Sequence, residues 1–320
     1  MGISNSPNGI ASFGVPVLDA RLARAAAKGA KVLWLDPRQG GGDAASPARA
    51  TDTLTSLYAK MTDESGDCGI WLGTDGGTGS SSRDTATITW AKSGLTLLGE
   101  TAPIPYSQRC RVAPTTSFAG PLVEFSGHNN VVANIQFFQG HDAASSCVKV
   151  SGDRNYFYNC HFAGIGHATA GDDAASDSLL LTGDENLFEN CTIGLDTIAR
   201  STSCTEIRVT SAATRNVFRR CNIVSFADAA TALWLTIGSG GIDREIVFED
   251  CKFSNAIDST ATAMTVGMDI DASAGGTIYL IGRTFRYGAT DWSNNFANLA
   301  QCMLNSGTAA TDMGAAINGS

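Results

Sequence analysis

Apolar and polar residues alternate along this chain in short runs, and the runs recur. One set reads Val123-Glu-Phe125, Val148-Lys-Val150, Leu179-Leu-Leu181, Ile207-Arg-Val209, Leu233-Trp-Leu235 and Met268-Asp-Ile270. Alternation with period two is the pattern of a strand with one buried face. A second phrase follows each run: Phe157-Tyr-Asn-Cys160-His-Phe162, Phe188-Glu-Asn-Cys191-Thr-Ile193, Phe218-Arg-Arg-Cys221-Asn-Ile223 and Phe248-Glu-Asp-Cys251-Lys-Phe253. The cysteines stand 31, 30 and 30 residues apart. Weaker copies flank them, Val132-Ala-Asn-Ile135-Gln-Phe137 upstream and Ile278-Tyr-Leu-Ile281 downstream, the latter beginning 30 residues after Phe248. A fixed period of this length marks a solenoid, whose units bury apolar faces only against their neighbours. Each unit has room for two or three strands and a loop but none for a helix. Strands that recur once per turn stack in parallel, which predicts an all-β, right-handed parallel β-helix.

The alternation also assigns directions. Cys160 and Phe162 share the inner face, and His161 between them points out. The matching outer positions hold Thr192, Asn222 and Lys252, so a one-residue slip would bury a polar side chain in every rung. Between the leading Phe and the Cys the alternation breaks, which predicts a sharp corner. Asn134, Asn159 and Asn190 occupy it, and asparagine tolerates the left-handed backbone a corner needs. Arg220 and Asp250 take that place later, so an asparagine ladder there is partial. On the first set of strands the outer stripe reads Glu124, Lys149, Leu180, Arg208, Trp234 and Asp269. Leu180 and Trp234 stand out as a subunit contact or a platform for a glycan.

Outside the repeat, Leu54, Leu57, Tyr58 and Met61 fall at helical spacing and predict one amphipathic helix over 51–62. It would cap the N-terminal opening, where core and strand edge would otherwise face water. Residues 1–33 form a leading segment with an extended stretch at 7–17, a short helix at 19–28, and a strand beginning at Lys31. The solenoid is expected over 34–285, and 286–320, rich in Ala, Asn and Gly, as a C-terminal cover or tail.

Composition narrows the partners. The 320 residues carry 22 basic and 31 acidic side chains, a formal charge of −9. That disfavours nucleic acid, whose phosphates need a basic face. No apolar run approaches the roughly 20 residues that span a bilayer. The N-terminus lacks a basic region followed by an apolar stretch, so no signal peptide is expected. Nine cysteines occur without a C-x-x-C pair. The repeated four read as buried small hydrophobes, reduced as in a cytoplasm, rather than as zinc ligands.

Candidate chemistry is sparse. Asp172-Asp173 pairs two carboxylates, with Asp177 and His167 near in sequence. Such a pair could perform acid–base work on a glycosidic bond, or be a solvated turn. The three aspartates could also hold calcium, but no loop shows a spaced Asp-x-Asp-x-Asp-Gly pattern, so no metal or other cofactor is expected.

Two resemblances add to this. Trp34, Asp36-Pro37, Gly42-Asp43, Ser46-Pro47-Ala48, Thr53-Leu54, Gly66-Asp67, Ile70-Trp-Leu72 and Ser93-Gly-Leu-Thr-Leu-Leu-Gly-Glu100 resemble the start of pectate-lyase-like right-handed β-helix proteins. With the rungs, this likeness covers about 31–285. It is specific for fold and poor for function, because that fold hosts lyases, hydrolases, adhesins and viral spikes. The polygalacturonase marks of that fold, Gly-His-Gly and Arg-x-Lys, do not occur. Pro7-Asn-Gly-Ile-Ala-Ser-Phe-Gly-Val-Pro-Val17 is similar to the opening of tailed-bacteriophage virion proteins that carry such a β-helix. That implies a structural protein of the virus particle, on the head or tail, commonly trimeric. The expectation is a non-catalytic head decoration or surface spike, assembled in the host cytoplasm as a homotrimer contacting the major capsid or other virion proteins. The competing expectation is a polysaccharide-degrading tailspike or lyase.

Overall fold

The computed structural model describes residues 30–73, 79, 81–118, 120–143, 146–255, 261–294 and 303–304, together with short strands at Ser4–Ser6, Gly9–Ser12 and Val15–Pro16. Those three strands form a small antiparallel sheet, separate from the sheets that follow. The helix expected over 19–28 and most of the C-terminal tail lie outside the described residues.

The remainder winds as a right-handed parallel β-helix of three sheets. Each rung enters sheet A, turns into sheet B and turns again into sheet C. One rung runs Ser146–Val150, Tyr156–Tyr158, His161–Ala163, and the next Asp177–Leu181, Leu187–Glu189, Thr192–Ile193. Among the described residues sheets A and C have eight strands and sheet B ten, every neighbour one rung away. Sheet A continues to Ala289–Ser293, and Met303–Leu304 adds a last strand to sheet B.

The register follows the repeated phrase. Phe157, Phe188, Phe218 and Phe248 pair in sequence along sheet B. Their rings stack at 5.0, 4.7 and 4.8 Å between centroids, within 12° of parallel. Each phenyl is fully buried, a contribution of roughly 1.5–3 kcal/mol apiece. Cys160, Cys191, Cys221 and Cys251 form the parallel column beside them, also buried. The thiols of Cys191, Cys221 and Cys251 donate to the carbonyls of Phe157, Phe188 and Phe218, at 3.4, 3.3 and 3.3 Å. Burial holds the Cys191 and Cys251 thiols well above their ordinary pKa. The downstream copy is offset: Phe248 pairs with Leu280, and Ile278 sits opposite Ile246.

Both tight corners have a residue-level cause. From B to C the chain turns on one left-handed residue, Asn134, Asn159, Asn190, Arg220 or Asp250, with φ between 49° and 59°. From A to B it turns around a buried column of Asn130, Asn155, Asn186 and Asn216. Each side-chain oxygen accepts the backbone N–H of the preceding rung, Asn155 to Asn130, Asn186 to Asn155 and Asn216 to Asn186, all at 2.9 Å. The full asparagine ladder is therefore at this corner, whereas the B-to-C corner mixes three residue types. Gly152 and Gly183 stack at the same turn, where a Cβ would come within 2.0 and 2.2 Å of the carbonyl oxygen one rung below.

The capping helix α1 spans Leu54–Lys60, and the Thr53 side chain accepts the Ser56 N–H at its start. Buried Leu54, Leu57 and Met61 close the N-terminal opening against the first strands of all three sheets, with Tyr58 over Trp90 at 4.9 Å. No helix among the described residues is long and apolar enough to cross a membrane.

Candidate functional site

The acidic loop resolves into separate duties. A one-turn helix α2, Ala168–Gly171, occupies it. His167 caps its start, its Nδ1 accepting the Thr169 N–H at 3.2 Å, and Asp172 follows its end. Asp173 accepts the Ala175 N–H at 2.8 Å and closes a turn. His167, Asp172 and Asp173 are all exposed. Asp177 is different: it opens a strand of sheet A, is buried, and meets Arg208 Nε at 3.1 Å. Burial lifts its carboxyl to about 6, against the pull of the Arg208 guanidinium. The four residues thus share a loop without sharing one chemical task.

Trp234 corrects an expectation. Arg208 pairs with Thr236, so Thr236 holds the outer position between Arg208 and Asp269, and Trp234 lies two residues earlier. It is fully buried, 5.8 Å from Phe253 and pressed against Gly267, so it serves neither a subunit contact nor a glycan. At the entrance to sheet A Trp234 is buried beside Leu235, and Glu206, aligned with it one rung earlier, is buried beside Ile207. Leu180 does point outward, half-buried, between Lys149 and Arg208.

Below Trp234 the same inward column carries charge. Glu206 and Arg200 are both fully buried and meet at 3.0 Å. Ser178 Oγ donates to the second Glu206 oxygen at 2.6 Å, and Arg200 Nη1 donates to the carbonyls of Ile198 and Ile165. Ile165 has φ 55°, costly for a β-branched side chain. This ion pair fastens the C-to-A loops of consecutive rungs. Breaking a buried pair leaves one uncompensated charge in the interior, so both members are structural.

The most developed concavity lies on the outer face of sheet C. The loop 101–110 leaves its own rung and straps across the later ones. Ser107 N–H donates to His161 Nδ1 at 3.1 Å, Gln108 Nε2 donates to the Asn159 carbonyl at 2.9 Å, and Tyr106 Oη accepts from Asn222. The outward column beneath it is wired in one direction. Arg111 Nε donates to Gln136 Oε1 at 2.7 Å, Gln136 Nε2 meets His161 Nδ1 at 3.2 Å, and His161 Nε2 meets the Gly194 carbonyl at 2.9 Å. Because Nδ1 accepts, Nε2 carries the proton and His161 is neutral. Burial under the strap presses its pKa down to about 4. The outward direction read from the sequence holds, but the strap hides the ring.

A cleft of 240 Å³ opens beside this relay, with Tyr106, Arg111, Phe138, His161 and Asp196 in its wall. A shallower one of 400 Å³ continues towards the C-terminus along Lys252, Phe285 and Tyr287, sharing Tyr106 and Asp196. Asp196 is the one carboxylate in either lining. Glycosidic hydrolysis takes two, one on each side of the bond. His161 has both ring nitrogens engaged. No group of three or more His, Cys, Asp or Glu among the described residues is placed to hold a metal ion. Sequence reading missed this face because a contact such as Tyr106 with Asn222, 116 residues apart, leaves no local pattern.

No protein-family model matches the chain. No curated protein matches it in sequence. Solved structures do. The pectate lyase Pel9A superposes with a TM-score of 0.56 at 15% identity, over 79% of this chain and 62% of the lyase. The chain therefore spans less than two thirds of that protein's length. A pectin methylesterase in complex with a hexasaccharide gives 0.56 at 13% identity, over 88% and 91% of the two chains. The fold is that of the pectate-lyase-like parallel β-helix proteins. The pectin methylesterase PemA from Erwinia chrysanthemi agrees, at 0.52 and 14% identity over 82% of this chain and 81% of that one. Identities this low speak for the shared scaffold and leave activity open.

Proposed function

We propose that this chain is a non-catalytic structural protein of a tailed-phage particle, a head decoration or surface spike. One observation supports it above the others: the cleft beside the strap offers a single carboxylate, Asp196, beside a histidine whose nitrogens are both occupied. The acids singled out from sequence serve as turn-former, helix end and buried ion-pair partner. What the molecule repeats with care is stiffness, in stacked rings, an asparagine ladder and a buried thiol column. The leading segment, residues 1–33, is the attachment element, and its small sheet is separate in hydrogen bonding from the solenoid. Partners on this reading are the chain itself and the major capsid protein.

A second reading, a polysaccharide-degrading tailspike or lyase, is favoured by the aromatic wall of the sheet C clefts. Immunogold electron microscopy of particles separates the two. Gold on heads, lost when residues 1–33 are deleted, is the expected result. Incorporation of the truncated chain sinks the attachment role. Gold at the tail tip, with depolymerisation that Asp196→Asn abolishes, replaces the structural reading with the enzymatic one.

A further inference from the structure

Sheet B carries an apolar column on each face. Its inner column is the phenylalanine stack. The residue before each stacked ring faces outward, and that column reads Tyr156, Leu187, Val217, Val247 and Tyr279. All five are half-buried. The outer columns of the other sheets are mostly polar, with Glu124, Lys149, Arg208 and Asp269 on sheet A and His161, Asn222 and Lys252 on sheet C. Parallel sheets that are apolar on both faces are normally covered on both. The α-helices among the described residues lie elsewhere, α1 at the N-terminal opening and α2 in a C-to-A loop, and a 3-10 turn at Pro47–Arg49 packs on the first strand of sheet B, away from this column.

The rims of this stripe say what covers it. Two residues before each outward side chain, on successive rungs, stand Arg154, Glu185, Arg215 and Glu245. Two residues after it stand Tyr158, Glu189, Arg219 and Glu249. Sign alternates along both rims. Within the chain Arg154 and Arg215 both reach Glu185, at 2.8 and 3.0 Å, and Arg219 reaches Glu249 at 2.6 Å. Glu189 is buried, accepts from Tyr156 Oη at 2.6 Å and pairs with Arg220. Consider a second copy laid face to face about a two-fold axis parallel to the strands, passing midway between the Leu187 and Val217 rungs. Leu187 then faces Val217, and Tyr156 faces Val247. Arg154 meets Glu245 and Glu185 meets Arg215 along the first rim. On the second, Arg219 lies over the pair that buried Glu189 makes with Arg220, and the Tyr158 hydroxyl meets Glu249. No rim charge meets one of its own sign. With the axis along the solenoid instead, Glu185 would face Glu189, Arg215 would face Arg219, and Glu245 would face Glu249. Like charges brought together in a contact are repelled and suppress that arrangement. The pattern is self-complementary in one orientation only, as an interface of two identical patches requires.

We propose that the outer face of sheet B pairs with the same face of a second copy, antiparallel, about that two-fold axis. This goes beyond the virion reading, stands whether or not that reading holds, and sets a two-fold contact where the phage resemblance implies a three-fold one. The test uses the full chain, size-exclusion chromatography with light scattering, and thermal melting. The wild type is expected to run with the mass of two chains. Leu187→Asp and Val217→Lys, each alone, are expected to lose that mass while keeping the wild-type melting temperature, since both side chains point away from the core. Mixing the two variants is expected to restore the two-chain mass, because the introduced carboxylate of one copy meets the introduced ammonium of the other. If either variant melts early, Arg154→Glu and Glu245→Arg at the rim supply the same single-loss and mixed-rescue comparison. A wild type that stays monomeric, a three-chain mass, or variants that lose assembly without rescue on mixing overturns the proposal. Capture of a different virion protein by a monomeric chain would assign the stripe to that protein and overturn it equally.

Discussion

Asp177 and His161 are buried ionisable side chains whose titrations oppose each other. Burial raises the Asp177 carboxyl to about 6 from 3.8, so between those values the folded chain binds a proton that the unfolded chain does not. Acidification through that window therefore strengthens the fold. Burial lowers His161 to about 4 from 6.5, so the unfolded chain holds the extra proton there, and acidification weakens the fold. The two contributions nearly cancel between pH 6 and 4. Asp177→Asn is expected to reveal a melting temperature that falls relative to wild type from pH 6.5 to 4. His161→Gln is expected to show a relative rise from pH 6 to 3.8. Differential scanning fluorimetry across that range checks both, and parallel profiles for all three proteins would refute the assignment. Legibility at this scale depended on where counting began. Counted from the apolar run Leu233-Trp-Leu235, Trp234 falls outside. Counted from the outward charges Glu124, Lys149 and Arg208, Thr236 takes the outer place, and Trp234, two residues earlier, keeps the same parity yet is buried. Alternation alone does not reveal burial at a strand entrance.

Among elements, the phenylalanine stack and the asparagine ladder carry different kinds of stability. Phe218 touches a parallel ring on each side. Phe218→Ala is expected to cost about 3–5 kcal/mol, the usual loss for emptying a packed aromatic site. Asn186→Ala removes the acceptor for the buried Asn155 N–H, and is expected to cost about 1–3 kcal/mol, the desolvation penalty of an orphaned donor. Denaturant unfolding measures both, and an asparagine effect within error of zero would mean water replaces the ladder. The stack and the thiol column were readable from sequence because one phrase repeats with little drift. The ladder was not placed. Asn130, Asn155, Asn186 and Asn216 lie in variable turns, while the more conspicuous Asn134, Asn159 and Asn190 sit at the corner of left-handed backbone, where the bonds between rungs are less regular, Asn159 Nδ2 to Asn134 Oδ1 and Arg220 Nε to Asn190 Oδ1.

For the whole molecule, architecture was legible and purpose only faintly so. Thirty-residue periodicity determines a solenoid because no other arrangement buries those faces. A ligand cleft or an assembly face is made by juxtaposition across rungs, as with Tyr106 over Asn222, and single-rung patterns do not encode it. The corners have a practical corollary. The B-to-C turn uses one left-handed residue, and the A-to-B turn is closed by a bonded side chain and a packed glycine. Both nevertheless lengthen in places: the strap 101–110 is a B-to-C connection, and the A-to-B turn from Ile237 to Val247 is longer than its counterpart from Leu181 to Leu187. The C-to-A connections already differ in length from turn to turn. Grafted peptides, epitope tags and whole inserted modules therefore belong first along that longitudinal seam, and the strap shows a second edge of the rod on which the scaffold already carries an insertion.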